Sequence, residues 1–180
     1  MSSPTVIVLA SGRGERFTAS GGRTHKLQAR LADKTVLHHT LDAVRASGLP
    51  WHLEEGGHPG MGDSIAAAVR ATWQSTPQSA GWLILPGDLP LIQSDTLRAV
   101  AAALRAHDVV VPVYRGQRGH PVGFSARCGP ELMGLKGNQG AAPVVLVHPA
   151  IELIVNDVGC VTDIDTVDDL QAAERLLRGG

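Results

Sequence analysis

Three apolar runs dominate the chain: Val6-Ile7-Val8-Leu9, Trp82-Leu83-Ile84-Leu85 and Val109-Val110-Val111, the last extended by Pro112-Val113. A strand with one wet face alternates apolar and polar residues, whereas an unbroken run buries both faces. Helical spacing fills the intervals, as in Val36, Leu37, Thr40, Leu41 and Val44, and again in Ile65, Ala68, Val69 and Thr72. Doubly buried strands separated by amphipathic helices predict an α/β fold of Rossmann-like type. Its sheet is doubly wound and mostly parallel, with helices on both faces. Such sheets hold ligands beyond the carboxyl ends of their strands. With 180 residues, 43% of them hydrophobic, the chain can form one packed domain over 1–180, and no repeat or linker divides it.

The finer elements follow from caps and breakers. A helix is expected after Thr35, stopped by Gly48-Leu49-Pro50. Trp51–Glu54 reads as a short strand and Ser64–Trp73 as a helix. Ser94 or Asp95 is expected to cap a helix reaching Ala106. Tyr114–Phe124 reads as a turn and return strand, with shorter helices around 129–135 and 140–147. Ile151–Val155 is expected to be extended, Val161–Ile164 to be a strand, and Val167–Leu177 to be the closing helix.

Composition narrows the partners. A net charge of -1 leaves no global electrostatic footprint for nucleic acid, and 3% aromatics supply few base-stacking platforms. No apolar run approaches the roughly 20 residues that span a bilayer. The opening Met-Ser-Ser-Pro-Thr lacks the basic region of a signal peptide, so a cytoplasmic location is expected. Cys128 and Cys160 have neither CxxC nor Cys/His spacing and are expected in or near the core, unpaired.

The chemistry-bearing segments sit where the strands end. Leu9-Ala10-Ser11-Gly12-Arg13-Gly14-Glu15-Arg16-Phe17 follows the first buried run and precedes Lys26. A strand emptying into a glycine-rich turn exposes backbone N–H groups, and Arg13, Arg16 and Lys26 surround them with positive charge, which suits a polyphosphate. Gly12 and Gly14 fit a G-x-G start, but Phe17 stands where a dinucleotide fingerprint needs its third glycine. Gly21-Gly22 is expected to keep the segment from opening into a helix, and no Walker lysine follows. Asp88 lies in a Pro-Gly-Asp-Leu-Pro turn just beyond the second buried run. A carboxylate there can hold Mg²⁺, which takes one or two carboxylates plus substrate phosphates. Asp163 and Asp165 would face one side of the expected strand, so either could join Asp88 while the other caps the last helix with Thr166. His120, in Arg118-Gly119-His120-Pro121-Val122, sits on a hairpin-like edge. The other histidines lack ligand spacing and are expected at the surface or half-buried.

Together these segments resemble the molybdenum cofactor nucleotidyltransferases, and within them the cytidylyltransferase branch. The resemblance rests on residues 9–17, Lys26-Leu27, Gly60-Met61-Gly62-Asp63-Ser64, Gly87-Asp88-Leu89-Pro90, Arg118–Val122, Gly137-Asn138-Gln139-Gly140-Ala141 and Asp163-Ile164-Asp165-Thr166, in that order. It implies a nucleotide-diphospho-sugar-transferase type of sheet. It also implies transfer of a nucleoside monophosphate from CTP to the phosphate of molybdopterin, releasing pyrophosphate. By position, Leu9 to Gly14 would hold the triphosphate and approach the base. Arg16 and Lys26 would neutralise phosphates, and Asp88 with Asp165 or Asp163 would hold Mg²⁺. Ser64 would lie near the nucleoside, and His120, Pro121, Asn138 and Gly140 near the pterin. The product could pass to a molybdoenzyme. GTP in place of CTP, another phosphorylated acceptor, and a non-catalytic cofactor carrier are the alternatives.

The chain departs from that family pattern in three ways. A longer stretch separates Phe17 from Lys26, and only one strand fits between Ser47 and Gly60, where relatives have strand, helix and strand. Asn138 and Ala142 stand where relatives carry Asp and Arg.

Overall fold

The computed structural model describes residues 2–75 and 79–179. Its main sheet is built from β1 (Thr5–Leu9), β4 (Trp51–Glu54), β5 (Gly81–Pro86), β6 (Val109–Tyr114), β7 (Gln117–Arg118), β8 (Val122–Ser125) and β9 (Ala150–Ile154). The order is β4-β1-β5-β8-β6, with β9 on the far side of β6. β1 runs parallel to β4 and β5, and β6 parallel to β9. Only β7 and β8 run antiparallel, each pairing with β6, and β8 also with β5. A separate hairpin joins β2 (Arg30–Leu31) to β3 (Lys34–Thr35).

Successive residues of the apolar runs serve opposite faces, so each run feeds two cores. Val6, Val8, Leu83, Leu85 and Val110 pack beneath α2 (Val36–Ser47), α4 (Ser94–Ala103) and α7 (Val167–Gly179). Ile7, Leu9, Trp82, Ile84, Val109 and Val111 pack with α3 (Met61–Ser75), α5 (Gly129–Met133) and α6 (Ala142–Val147). Trp82 is fully buried, and its indole N–H donates to Thr72 Oγ1 at 2.9 Å, so the large side chain enters the core without an orphaned donor. Both cysteines are free and buried, and burial pushes each thiol up to about 11. Among the described helices none is long and apolar enough to cross a membrane.

Three local expectations fail for tertiary reasons. The loop after β1 does open into a helix, the short α1 (Glu15–Ala19), because Gly14 turns the chain at φ +67 and the Gly21-Gly22 break comes only afterwards. Neither Ser94 nor Asp95 caps α4. Both lie inside the helix, Gln93 holds the cap position, and the Gln93 N–H and Thr96 hydroxyl donate instead to Asp157 Oδ2. That helix ends at Ala103, and Leu104–Ala106 form a turn. The expected strand Val161–Ile164 is absent. A 3-10 turn (Val158–Val161) and irregular chain take its place, since β9 and β7/β8 already flank β6. This segment lies over the β5–α4 connection instead. Ile164 N–H donates to the Asp88 carbonyl at 2.9 Å.

Candidate active site

A cleft of about 520 Å³ opens at the carboxyl ends of β1 and β5. The two strand ends are tied by the Gly87 N–H, which donates to the Leu9 carbonyl at 2.8 Å. Behind them the buried Thr40 hydroxyl of α2 donates to the Gly87 carbonyl at 2.8 Å, fixing the turn that carries Asp88. One edge of the cleft is the loop Ser11–Arg16. The backbone N–H groups of Ser11, Gly12, Arg13 and Gly14 meet no acceptor among the described residues. Ala10 differs from the expectation of bare amides throughout the loop: its N–H donates to the Glu54 carbonyl, extending the β1–β4 ladder by one step.

Asp88, Lys26, Asp165 and Arg16 form one charge network in this cleft. Lys26 Nζ lies 2.8 Å from Asp88 Oδ2 and 3.7 Å from Asp165 Oδ1, and Arg16 pairs with Asp165 Oδ2. Lys26 and Asp88 are only 15% and 14% exposed, so their pairing is poorly screened by water. Asp165 reaches them because Ile164 is pinned to Asp88 and because Asp169 Oδ2 accepts from the Asp165 and Thr166 N–H groups at 2.9 Å. The Asp169 N–H in turn donates to the Thr166 hydroxyl oxygen at 3.2 Å, a reciprocal cap on α7. The capping acid is thus Asp169, which the sequence reading did not single out, and neither Asp163 nor Asp165 takes that part.

Asp163 points to a different neighbourhood. The residue is exposed over much of its surface, yet partial burial of its carboxyl and the nearby Asp88 carboxylate push its pKa up. His120 sits in the break between β7 and β8, where its N–H donates to the Cys160 carbonyl. Burial lowers the pKa of its ring against the opposing pull of Asp88 and Asp163, and its Nδ1 is buried without a partner among the described residues. Asp88 thus lines the cleft while lying within electrostatic reach of both His120 and Asp163. Neither His120, Pro121 nor Asp163 lines the cleft.

The opposite edge comes from the start of α3. Ser64 Oγ lies 2.8 Å from Ser11 Oγ, joining the helix to the loop. Gly60 and Gly62 lack side chains for a steric reason. A Cβ on Gly60 would fall 2.4 Å from the Gly137 carbonyl, and one on Gly62 would fall 2.9 Å from the Lys136 backbone. This approach brings Asn138 to the cleft, while Gly140 packs beneath Met61 outside it.

Two features escaped sequence reasoning. His25 Nδ1 accepts from the Leu27 N–H at 3.2 Å, so its Nε2 carries the proton donated to the Gly12 carbonyl at 2.5 Å. It braces the loop from below; adjacency to Lys26 was its only signal. His58 also lines the cleft, held by Glu54 on β4, and nothing in its spacing announced that pairing.

The arrangement suits a polyanion and a divalent ion. Free amides and three cations face the cleft, and Asp88 Oδ1 is buried with no partner among the described residues, a hard oxygen donor of the kind Mg²⁺ or Mn²⁺ takes. Among the described residues no three His, Cys, Asp or Glu side chains gather as a closed metal site, so the remaining ligands would come from substrate and water.

Comparison with known proteins agrees with this chemistry. A family profile described as the MobA-like NTP transferase domain matches residues 42–151, a span that includes Ser64 and Asp88 but not the 9–17 loop, Lys26 or Asp165. The purine catabolism protein PucB of Bacillus subtilis (strain 168) is 29% identical over 207 aligned residues, covering 98% of this chain and 100% of its own. That alignment is longer than this chain, so the relative carries residues that this one lacks. The crystal structure of Rv0371c from Mycobacterium tuberculosis H37Rv is 27% identical, with a TM-score of 0.75 over 97% of this chain and 99% of that one. The same protein has also been solved in complex with manganese. Molybdopterin-guanine dinucleotide biosynthesis protein A from Archaeoglobus fulgidus shares the fold, with a TM-score of 0.69 at 16% identity, covering 98% of this chain and 100% of that one. A doubly wound sheet, a bare-amide loop facing a lysine-paired aspartate, and a profile match over more than half its length place this chain in the MobA-like NTP transferase family of nucleotidyltransferases.

Proposed function

We propose that this nucleotidyltransferase moves the nucleoside monophosphate of CTP onto the terminal phosphate of molybdopterin, releasing pyrophosphate with Mg²⁺ as its metal. The observation that carries the transferase chemistry is the Lys26–Asp88 pair facing the free amides of Ser11–Gly14 across one cleft. The acceptor phosphate is already anionic at neutral pH, so the reaction needs no strong general base. It needs alignment of two anions and stabilisation of charge growing on the phosphorus oxygens and the leaving pyrophosphate.

Each residue has a part in that scheme. The loop amides grip the β- and γ-phosphates, and Arg13 and Arg16 offset their charge. Lys26 turns from Asp88 toward the reacting phosphate, where its positive charge opposes the growing negative charge. Asp88, through its unpaired Oδ1, and Asp165 would hold Mg²⁺, which would supply positive charge against the phosphates. Ser64, bonded to Ser11, keeps the helix start close to the nucleoside.

The acceptor end favours a second reading. His120 and Pro121 lie outside the cleft lining, and Asn138, on its lip, is neutral. An acceptor other than molybdopterin, carrying a phosphate but less charge elsewhere, fits that lip equally well, and GTP is the competing donor. Incubating the folded protein with Mg²⁺, each NTP in turn, and molybdopterin or other phosphorylated acceptors while following pyrophosphate separates these readings. Release with CTP and molybdopterin supports the first; release only with GTP or another acceptor selects the second; no release with any pair refutes both.

A further inference from the structure

Phosphates bound between the 11–14 loop and Asp88 leave the nucleoside to the wall that begins at His58 and runs to Ser64. His58 is the one residue of that wall with an ionisable ring, and its orientation is fixed. Its Nε2 lies 3.0 Å from Glu54 Oε1, while His52 Nε2 lies 3.0 Å from Glu54 Oε2. The Gly56 N–H also donates to Oε1, at 3.3 Å, and a Cβ on Gly56 would fall 2.6 Å from His58 Nε2, so the turn closes tightly on the ring. Glu54 is 13% exposed. Burial would raise its pKa, but the bonds from His58, His52 and Gly56 hold it below the ordinary range, so it is a carboxylate at neutral pH.

A carboxylate only accepts hydrogen bonds, so His58 Nε2 must carry the proton. In the neutral ring Nδ1 then has a lone pair and no hydrogen. The ring bonds to Glu54 through Nε2 alone, and Nδ1 makes no hydrogen bond to the described residues. We propose that His58, locked by Glu54 in its Nε2–H form, selects the base of the bound nucleotide by accepting a hydrogen bond at Nδ1 from an exocyclic amino group. Cytosine offers a 4-amino group, whereas uracil presents a carbonyl at that position, and its lone pairs would face the lone pair of Nδ1. The mismatch strands two acceptors, which costs more than a missing contact. The inference rests on the NTP-transferase reading and adds the residue that chooses the base.

Isothermal titration of the Mg²⁺-supplemented protein with CTP and with UTP tests it, using wild type, His58→Leu, His58→Asn and Glu54→Gln. Wild type should bind CTP about tenfold or more tighter than UTP, the effect of one hydrogen bond lost to repulsion. His58→Leu should bring the two affinities within about threefold, on the same scale. Glu54→Gln should narrow the gap as well, because an amide can donate to Nε2 and let the ring carry its proton on Nδ1. His58→Asn, whose amide oxygen can stand near the place of Nδ1, should retain part of the preference. A wild type that does not prefer CTP overturns the proposal, as do variants that bind both nucleotides with the wild-type ratio. Binding of neither CTP nor UTP overturns this inference, and a parallel titration in which GTP also fails to bind refutes the transferase reading. A measurement on the unaltered chain guards against misfolded variants: ¹⁵N NMR of the His58 ring should show an unprotonated Nδ1 that shifts with CTP and not with UTP. A protonated Nδ1 in the free protein at neutral pH overturns the assignment.

Discussion

Lys26 and Asp88 are each informative only through the other. Lys26→Met should lower the nucleotidyl-transfer rate about 10²–10³-fold, by analogy with the loss of one transition-state donor, as read by pyrophosphate release. The same pair should couple in stability. Lys26→Met and Asp88→Asn, measured singly and together by urea unfolding, should show an interaction of about 1–2 kcal/mol, as contacting residues of one network do. A strictly additive pair would mean the 2.8 Å contact contributes nothing to the folded state. Glu54 yields a pH prediction. Its pKa is lower folded than unfolded, so its stabilisation is present above the ordinary glutamate pKa and is lost as pH falls through the lower, folded one. The stability gap between wild type and Glu54→Gln should therefore close below about pH 4.

Elements acquire their roles from contacts distant in sequence. The reciprocal cap of Thr166 and Asp169 starts α7 and also steadies Asp165 in the cleft. Thr166→Ala should cost about 1 kcal/mol in stability, the usual worth of an N-cap. Asp169→Ala should in addition loosen Asp165 and weaken metal-dependent nucleotide binding, measurable by titration with Mn²⁺. The start of α3 makes a similar case. Gly62→Ala would drive a methyl into the Lys136 backbone, parting the two lips of the cleft. A destabilisation of about 1–3 kcal/mol is expected from such overpacking, together with weaker binding of CTP. The α3 helix itself was legible from its spacing. The need for glycine at 60 and 62 was not, because the partner backbone at 136–137 lies more than 70 residues away.

Over the whole molecule, binding and stability should be linked. At about a hundredfold excess over its dissociation constant, CTP with Mg²⁺ should stabilise the protein by about 2.7 kcal/mol. For a chain of this size that amounts to a rise in melting temperature of about 5–10 °C, and chelating the metal should remove its share. Differential scanning fluorimetry with and without EDTA reads both quantities.

The parallel sheet and its two helical layers were legible because β1, β5 and β6 bury both faces, and burial on both faces leaves no alternation in the chain. The glycine loop and Asp88 were legible for a related reason: in a parallel sheet, residues just beyond strand ends share one edge. Local sequence could not reveal the Asp157 contacts that replace a cap on α4, or the course of residues 158–165. Nor could it reveal the Glu54 clamp on His58. In each of these a polar group finds its partner across the fold. Apolar periodicity is a property of the chain itself, whereas a hydrogen bond between distant segments exists only once the sheet has set them side by side.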